Sequence, residues 1–348
     1  MRSLHKKETD MWIALIICGV IVVFILGFGV YTAAVTTHPK KTSMEDAWNN
    51  EMSKDFVKKC DMNPSSVYTI TTDEGYVLHA SFLPAYDYMD EYGRIDEYDY
   101  KNPKTHLSEG PKAKDEYRAE GGPDNCNGQR FIIISHGYTY NRHGSMKYAT
   151  IFRRHGYNCV IYDDRRHGEN VKTLTTFGRE ESKDLMAVIK DTRRRFGKDI
   201  ALGCHGESMG TGLSITALQY EPDIDFIVAD CGYADLANVV KEGMAVKFHL
   251  PSFLGSLGGV ISRILFGYNY MKIAPIEHMG SGKVPICFVH GGADDFILPV
   301  NSQRMNEAYS GYSEYHEFPG AAHGLSIDSD PEGYEKMVLE FLKKVYGA

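Results

Sequence analysis

Residues 206–210 follow the pattern Gly-x-Ser-x-Gly, which makes Ser208 a candidate nucleophile. The apolar run IALGC, typical of a strand, precedes the pattern, and TGLSITALQY, with a helical pattern, follows it. At a strand-to-helix turn, Gly206 and Gly210 would leave room for a strained backbone that lifts the serine hydroxyl above a sheet. The N-terminus of the following helix favours the negative charge that develops during attack on a carbonyl group. The pattern therefore predicts acyl transfer through a covalent bond to Ser208.

A serine nucleophile needs a base that takes its proton and an acid that orients the base, and at such a turn they follow in the order Ser, Asp, His. The predicted strand ICFVH runs into HGGADD, which places Asp294 just past the end of a strand. His323 lies in the small-residue loop GAAHG after the predicted strand EYHEF. We predict that Ser208 attacks, that His323 transfers the proton and that Asp294 orients the imidazole. Asp295 and Asp230 are the alternative acids.

The oxyanion formed by the attack needs two backbone N–H donors, one directly after the nucleophile and one in the loop after the third strand. Met209 supplies the first. The loop SHGYTY follows the third predicted strand, and its glycine lets the backbone approach the site. Tyr138 is therefore the predicted second donor, and we interpret His136 as a residue that holds this loop rather than as a base.

Patterns for other chemistries are missing or incomplete. The sequence has no HExxH, no P-loop and no G-x-G-x-x-G after a strand. Residues 328–333 resemble the opening of a calcium-binding loop, but Leu339 stands where the closing glutamate would be. The net charge of −8 also argues against phosphate neutralisation along a nucleic acid. We predict no metal, no organic cofactor and no nucleic-acid partner.

The residues with chemistry are separated by alternating strand and helix patterns. The predicted strands are residues 66–71, 76–83, 130–135, 157–162, 199–204, 226–230, 286–290 and 313–318. Nearly continuous apolar strands that alternate with helices are typical of a parallel sheet covered on both faces. A last helix is predicted from Asp330-Pro331, a cap followed by an N1 proline, to about Tyr346. The sequence thus predicts one α/β domain, residues 65–348, with a mostly parallel eight-stranded sheet.

Two stretches of this domain are longer than a connection needs to be. Residues 86–128 are acidic and rich in Tyr, Gly and Pro, which favours a surface insertion. Residues 231–285 contain the apolar segment HLPSFLGSLGGVISRILFGY, and we interpret about this range as a small helical cap over a site.

The N-terminal part of the chain predicts a membrane anchor. A short basic tail, residues 1–10, precedes residues 11–37, which contain no charged side chain and are long enough to cross the bilayer as a single-pass helix. A cleaved signal peptide is the alternative, although its apolar region is usually only about 7–15 residues long. Basic residues flank both sides almost equally, and a basic tail that stays inside places the catalytic domain outside the cytoplasm.

Residues 38–64 are predicted to form a juxtamembrane helix and linker. Within them, residues 43–60 have apolar side chains at helical spacing behind Ser43, a candidate N-cap. This helix docks on the body or, alternatively, lies on the bilayer. A disulfide between Cys60 and Cys126 is a further hypothesis if the body is extracytoplasmic.

Seven blocks together resemble one bacterial family. In order they are SHGYTYNRHG, YDDRRHGEN, FGREESKDL, GCHGESMGTG, VADCGYADL, FVHGGADDF and GAAHGLS. They are similar to α/β-hydrolases grouped with serine aminopeptidase-like (S33) and BEM46-like hydrolases, over about residues 65–346. The resemblance implies the α/β-hydrolase fold, the triad of Ser208, Asp294 and His323, and an N-terminal anchor. The stretch DDFILP departs from the family's DDFVP, which keeps Asp295 open as the acid.

These observations predict a membrane-anchored serine hydrolase that cleaves carboxylic esters, as small-molecule acyl substrates, through an acyl-enzyme. The apolar cap favours medium or long acyl groups. A serine peptidase acting on peptides or amides is the alternative, because the acidic insertion could bind a free amino terminus. A catalytically silent binding module with the same fold is the third reading.

Overall fold

The computed structural model describes residues 2–57, 62–112, 129–247 and 249–347, which belong to two compact units. One unit comprises the chain up to His38 together with Leu236–Lys272. The other comprises Pro39–Asp235 and the chain from Ile273 onward.

The larger unit is built on one eight-stranded sheet with the order β1-β2-β4-β3-β5-β6-β7-β8. The strands are β1 Ser66–Thr71, β2 Val77–Leu83, β3 Arg130–Ser135, β4 Tyr157–Tyr162, β5 Ala201–Glu207, β6 Phe226–Asp230, β7 Ile286–Gly291 and β8 Ser313–Phe318. The pairs β1–β2 and β2–β4 are antiparallel, and all the others are parallel. This confirms the predicted α/β-hydrolase architecture with a mostly parallel sheet.

Strand β5 begins and ends later than the predicted residues 199–204. Its polar end stays in the ladder because Gly206 pairs with Ala229 and Glu207 with Asp230 of β6. The apolar run stops at Cys204, so the sequence pattern could not show that the strand continues to the residue before Ser208.

Helices cover both faces of the sheet, as the sequence predicted. The α-helices of the described chain are α1 Arg2–Thr37, α2 Met44–Met52, α3 Met89–Tyr92, α4 Met146–Arg154, α5 Glu181–Phe196, α6 Met209–Ala217, α7 Leu236–Glu242, α8 Phe253–Phe266, α9 Val300–Ala308, α10 Ser326–Ser329 and α11 Pro331–Tyr346. Helix α11 begins as expected, since the Asp330 carboxylate accepts the backbone N–H of Gly333 at 2.9 Å and Pro331 occupies the first turn. Consecutive residues of β3 pack in different cores, Ile133 on one face and Ile132 and Ile134 on the other.

Helix α2 confirms the predicted N-cap and corrects the predicted length. The Ser43 hydroxyl accepts the N–H of Asp46 at 2.9 Å, but the helix ends at Met52 and not near residue 60. After that residue the N–H groups of Lys54 and Val57 bond to carbonyl groups three residues earlier, which is turn geometry. Trp48 is buried and its ring stacks on Tyr100 at 4.9 Å, so the helix docks on the body rather than on a bilayer.

The described part of the insertion, up to residue 112, contains short helical turns. It includes α3 and the 3₁₀ turns Tyr86–Tyr88 and Pro103–His106, and Leu107 forms an isolated bridge to Val67 of β1. Residues 113–128 and 58–61, with Cys126 and Cys60, lie outside the described residues, so the proposed disulfide is not tested. The cysteines at 159, 204, 231 and 287 are buried in the sheet region with free thiols.

The smaller unit consists of helices. Within α1, the 28 residues Asp10–Thr37 are long and apolar enough to cross a membrane, a property that a signal sequence near the N-terminus shares. The C-terminal part of α1 packs along α8, and α7, a π-helical turn at Gly243–Lys247 and the 3₁₀ turn Tyr270–Lys272 complete the unit.

Candidate active site

The backbone at Ser208 is strained at the turn between β5 and α6. Its φ of 55° and ψ of −107° lie outside the regions that residues with a side chain usually adopt. Glycine is required on both sides because the backbone is close: a Cβ on Gly206 would lie 2.3 Å from the Gly210 carbonyl oxygen, and one on Gly210 would lie 2.2 Å from that of Ser135. The turn presents Ser208 at the carboxyl end of the sheet, directly before the N-terminus of α6.

The structure brings Ser208, His323 and Asp294 into one line of hydrogen bonds. His323, in the loop between β8 and α10, has Nε2 2.9 Å from Ser208 Oγ and Nδ1 2.7 Å from Asp294 Oδ2. Asp294 follows β7 and is 2 % exposed, whereas the histidine side chain is 24 % exposed. If Nδ1 donates to the carboxylate, Nε2 is free to accept the serine proton.

Four hydrogen bonds hold the Asp294 carboxylate. Oδ1 accepts the N–H groups of Phe296 and Ile297, both at 2.9 Å, and Oδ2 lies 3.1 Å from His290 Nε2 in addition to its bond with His323. Burial alone would raise the pKa of Asp294, but the hydrogen bonds from the two histidines outweigh it and lower the pKa. The acid beside His323 is therefore ionised at neutral pH.

The two alternative acids do not contact His323. Asp295 is exposed, whereas the Asp294 carboxylate is buried. Asp230 is buried and accepts hydrogen bonds from Tyr148 Oη at 3.1 Å and Ser326 Oγ at 3.3 Å. Burial, assisted by the nearby Glu207 carboxylate, raises the pKa of Asp230 to about 6.

His290 is a residue of this site that the sequence reasoning missed. Its Nδ1 lies 2.7 Å from Ser302 Oγ, and its Nε2 faces both the Asp294 carboxylate and the carbonyl oxygen of Ile297, at 2.8 Å. The Ile297 carbonyl oxygen requires Nε2 to donate, while the Ser302 hydroxyl can serve Nδ1 as donor or as acceptor. The only signal in the sequence was a histidine at the end of an apolar strand, four residues before an acid.

The loop after β3 passes close to the nucleophile. A Cβ on Gly137 would lie 3.7 Å from Ser208 Cβ and 2.9 Å from Glu207 Oε1, so only glycine fits there without a shift. His136 fixes the loop, since its Nδ1 lies 2.8 Å from the Gly137 carbonyl oxygen and its Nε2 accepts the N–H of Asp164 at 3.0 Å. The neighbouring Tyr138 stacks its ring on Phe177 at 5.0 Å, and Met209 is buried in the first turn of α6.

A buried ammonium group connects the two loops that hold Ser208 and His323. Lys147 Nζ lies 2.8 Å from Glu207 Oε2 and donates to the Gly324 carbonyl oxygen at 2.7 Å. Burial lowers the pKa of Lys147, but the surrounding carboxylates, that of Glu207 foremost, outweigh it and raise the pKa. No pattern in the sequence indicates this contact, because a lysine in an amphipathic helix is usually a solvated side chain.

We expect Lys147→Met to lower the free energy of unfolding by about 3 kcal/mol, because it leaves the partly buried Glu207 carboxylate without its buried cation. Lys344→Met is the matched control, since its pair with Glu314 lies at the surface, where an ion pair contributes at most about 1 kcal/mol. Urea unfolding of both variants in detergent measures the difference. The double variant Lys147→Met with Glu207→Gln should regain part of the loss. Equal losses for the two lysines would contradict this role for Lys147.

The carboxyl group of Glu51 in α2 predicts a pH dependence of stability. Burial raises its pKa to about 8, against an unfolded value near 4.5, so the folded chain holds a proton that the unfolded chain releases between these values. The free energy of unfolding should therefore fall as pH rises from about 4.5 to 8, by up to about 1.4 kcal/mol per pH unit from this group. Glu51→Gln should flatten this slope, whereas Glu340→Gln at the exposed face of α11 should not. Urea unfolding at pH 5 and pH 8 is the test, and an unchanged slope in Glu51→Gln would refute it.

One curated protein aligns with a large part of the chain. The chain is 31 % identical over 217 residues to the uncharacterized protein YqkD of Bacillus subtilis (strain 168), an alignment of 61 % of this chain and 70 % of YqkD. No protein-family model matches the chain.

Solved structures resemble the chain in fold. The Pyrococcus furiosus esterase Pf2001 superposes with a TM-score of 0.54 and 23 % identity, over 80 % of this chain and 92 % of the esterase. Est1E from Butyrivibrio proteoclasticus superposes with a TM-score of 0.52 and 17 % identity, over 81 % of this chain and all of Est1E. A puromycin-hydrolyzing peptidase of Mycobacterium tuberculosis superposes with a TM-score of 0.58 and 15 % identity, over 83 % of this chain and 40 % of the peptidase. The chain therefore has the α/β-hydrolase fold and belongs to the same family as YqkD.

Proposed function

We propose that the protein is a serine hydrolase that cleaves carboxylic esters through an acyl-enzyme on Ser208. The observation that supports this most directly is the hydrogen-bonded line from Ser208 Oγ through His323 to Asp294. A hydroxyl that shares its proton with an oriented imidazole is an activated nucleophile.

In the proposed reaction, Ser208 Oγ bonds to the substrate carbonyl carbon while His323 Nε2 takes the hydroxyl proton. The ester C–O bond then breaks, and the same proton leaves with the alcohol. Water, deprotonated by His323, attacks the acyl-enzyme, and the acid product departs as the proton returns to Oγ. Asp294 stays ionised throughout and stabilises the imidazolium.

We assign the oxyanion donors to the backbone N–H groups of Met209 and Tyr138. Met209 begins α6, where the helix N-terminus favours negative charge. The approach of Gly137 to Ser208 supports the second donor, because the N–H of Tyr138 follows directly after it.

Apolar side chains near the catalytic histidine favour ester substrates with apolar acyl groups. The Phe296 ring meets the His323 ring edge-on at 5.0 Å, and Leu325, two residues after His323, is 44 % exposed. The esterases among the similar folds agree with this class, whereas the peptidase keeps amide hydrolysis as the alternative.

We also propose the arrangement of the whole chain. Residues 11–37 anchor it in a lipid bilayer after the tail 1–10, residues 38–64 lead to the hydrolase domain 65–348, and that domain lies outside the cytoplasm. The cap of about residues 231–285, and the grouping with serine aminopeptidase-like (S33) and BEM46-like hydrolases, stay predictions from the sequence.

The test is labelling of the full chain in detergent with a fluorophosphonate, followed by peptide mapping and by turnover of matched p-nitrophenyl esters and aminoacyl amides. An adduct on Ser208 and faster turnover of the esters support the proposal. Faster turnover of the amides would assign a peptidase instead. A folded chain that neither labels nor turns over would favour a silent binding module.

A further inference from the structure

Helix α8 exposes a row of large apolar side chains. Its only charged residue is Arg263, close to the C-terminal end. The exposed apolar residues of α8 are Phe253 (55 %), Val260 (50 %), Ile264 (75 %) and Leu265 (52 %). An apolar row of this kind in water would be a hydrophobic patch that requires an occupant.

The opposite side of α8 packs closely on α1. A Cβ on Gly29 of α1 would lie 2.5 Å from Ile261 Cδ1, and one on Gly258 of α8 would lie 2.3 Å from Thr32 Oγ1. Small residues that let two helix backbones approach are typical of helix pairs within membranes, where burial of apolar area gives no driving force. The packing thus has the character of a transmembrane helix pair.

The contacts also fix the depth of α8 relative to α1. Gly29 lies between Leu257 and Ile261, and just past the end of α1 the His38 ring lies 5.0 Å from the ring of Phe266, the last residue of α8. The two helices therefore run in the same direction. Fourteen residues give α8 a length of about 21 Å, less than the roughly 30 Å of a hydrocarbon core. Helix α8 therefore lies beside the C-terminal half of the apolar span without crossing it.

Three hydroxyl groups at this level form hydrogen bonds within the unit. Ser262 Oγ donates to the Tyr268 carbonyl oxygen at 2.9 Å, Tyr270 Oη to that of Gly255 at 3.2 Å, and Thr32 Oγ1 to that of Gly29 at 3.0 Å. Internal hydrogen bonding is the condition for placing hydroxyl groups next to lipid chains. Arg263 stands near the end where the chain leaves α1, so its long side chain can reach the interface.

We propose that α8 is embedded in the bilayer beside α1 without spanning it, with its exposed row in contact with lipid acyl chains. The occupant is lipid because the row continues the apolar surface of α1, where Leu26 and Val30 are also exposed. The segment between β6 and β7 is then a second membrane-embedded part of the protein. This inference rests on the proposed anchor, and the experiment below separates the two.

The test uses the full chain in phosphatidylcholine vesicles, with a single cysteine labelled by an environment-sensitive fluorophore. The background is Cys18→Ala, Cys60→Ser and Cys126→Ser. The reporter variants are Ile264→Cys and Val260→Cys on α8, Val22→Cys on α1 and Lys336→Cys on the exposed face of α11. Lipids with a nitroxide on the acyl chain quench labels in the hydrocarbon, and iodide quenches labels in water.

We expect the labels at 264, 260 and 22 to lose most of their fluorescence to the nitroxide lipid and little to iodide, and the label at 336 to show the reverse. Quenching of position 22 by lipid, with both α8 positions quenched by iodide or by neither agent, would overturn the inference and leave the anchor standing. Lack of lipid quenching at position 22 as well would overturn both. Two α8 positions guard against one misfolded variant, and far-ultraviolet circular dichroism confirms that each variant folds.

Discussion

Replacing Ser208 by alanine should lower ester turnover by about 10⁵- to 10⁶-fold and abolish fluorophosphonate labelling, because it removes the only atom that bonds to the acyl group. The remaining rate would come from the oxyanion donors and substrate binding. Ser281→Ala, at an exposed turn of the same unit, is the matched control and should label like the natural chain. Turnover that survives in Ser208→Ala would mean that another group is the nucleophile.

A substitution at Ser208 should also raise the stability of the fold although it removes activity. Its φ of 55° costs on the order of 1 kcal/mol, and glycine adopts this conformation without that cost. Ser208→Gly should therefore be inactive and also more resistant to urea than the natural chain. A less stable Ser208→Gly would show that the hydroxyl supports the fold more than the backbone strain opposes it.

Replacing Asp294 by asparagine should lower turnover by about 10⁴-fold while leaving the fold intact. The amide keeps the shape of the carboxylate but offers N–H groups, so His323 would turn its protonated nitrogen toward Ser208 and could not accept the proton. Asp295→Asn is the matched control, one residue along the chain and exposed, and should keep nearly full activity. The reverse result would assign Asp295 as the acid.

The pH dependence adds a second measurement for the same pair. Because hydrogen bonds lower the pKa of Asp294 in the folded chain, its contribution to stability is fully present above its unfolded value near 3.8 and is lost only as pH falls below it. Natural chain and Asp294→Asn should therefore differ in unfolding free energy at pH 7 and converge as the solution is made strongly acidic. A difference that stays constant down to such pH would contradict this linkage.

The strands of the sheet could be predicted from the sequence because their apolar runs are continuous and each run ends at a turn. Ser208, Asp294 and His323 could be predicted as candidates because each follows a predicted parallel strand. The carboxyl ends of such strands meet at one edge of the sheet. The sequence pattern gave wrong element boundaries where contacts outside the local pattern determine them. The residues after Cys204 stay in β5 through pairing with β6, and α2 ends early through turn hydrogen bonds.

The roles of Lys147 and His290, which support the site, could not be predicted from the sequence for a related reason. Lys147 meets Gly324 across 177 positions of the chain, and a buried lysine has no sequence signature apart from the carboxylates that fold around it. In the sequence His290 is recognisable only as part of a strand, because its contacts come from the loop that folds back after that strand. Contacts of this kind depend on tertiary packing, which composition and spacing do not encode.

His323 follows Ser208 by 115 positions, which determines how long after the serine the ribosome adds the histidine. At about 5 to 20 residues per second, synthesis adds the histidine about 6 to 23 s after the serine. The apolar helix α1 is made before the sheet, and β8, which pairs with β7 at the edge of the described sheet, is made after the other strands. In the proposed arrangement a growing chain thus carries its anchor well before it carries its base, so insertion into a bilayer would precede hydrolytic competence, and chains that end before His323 would be inactive.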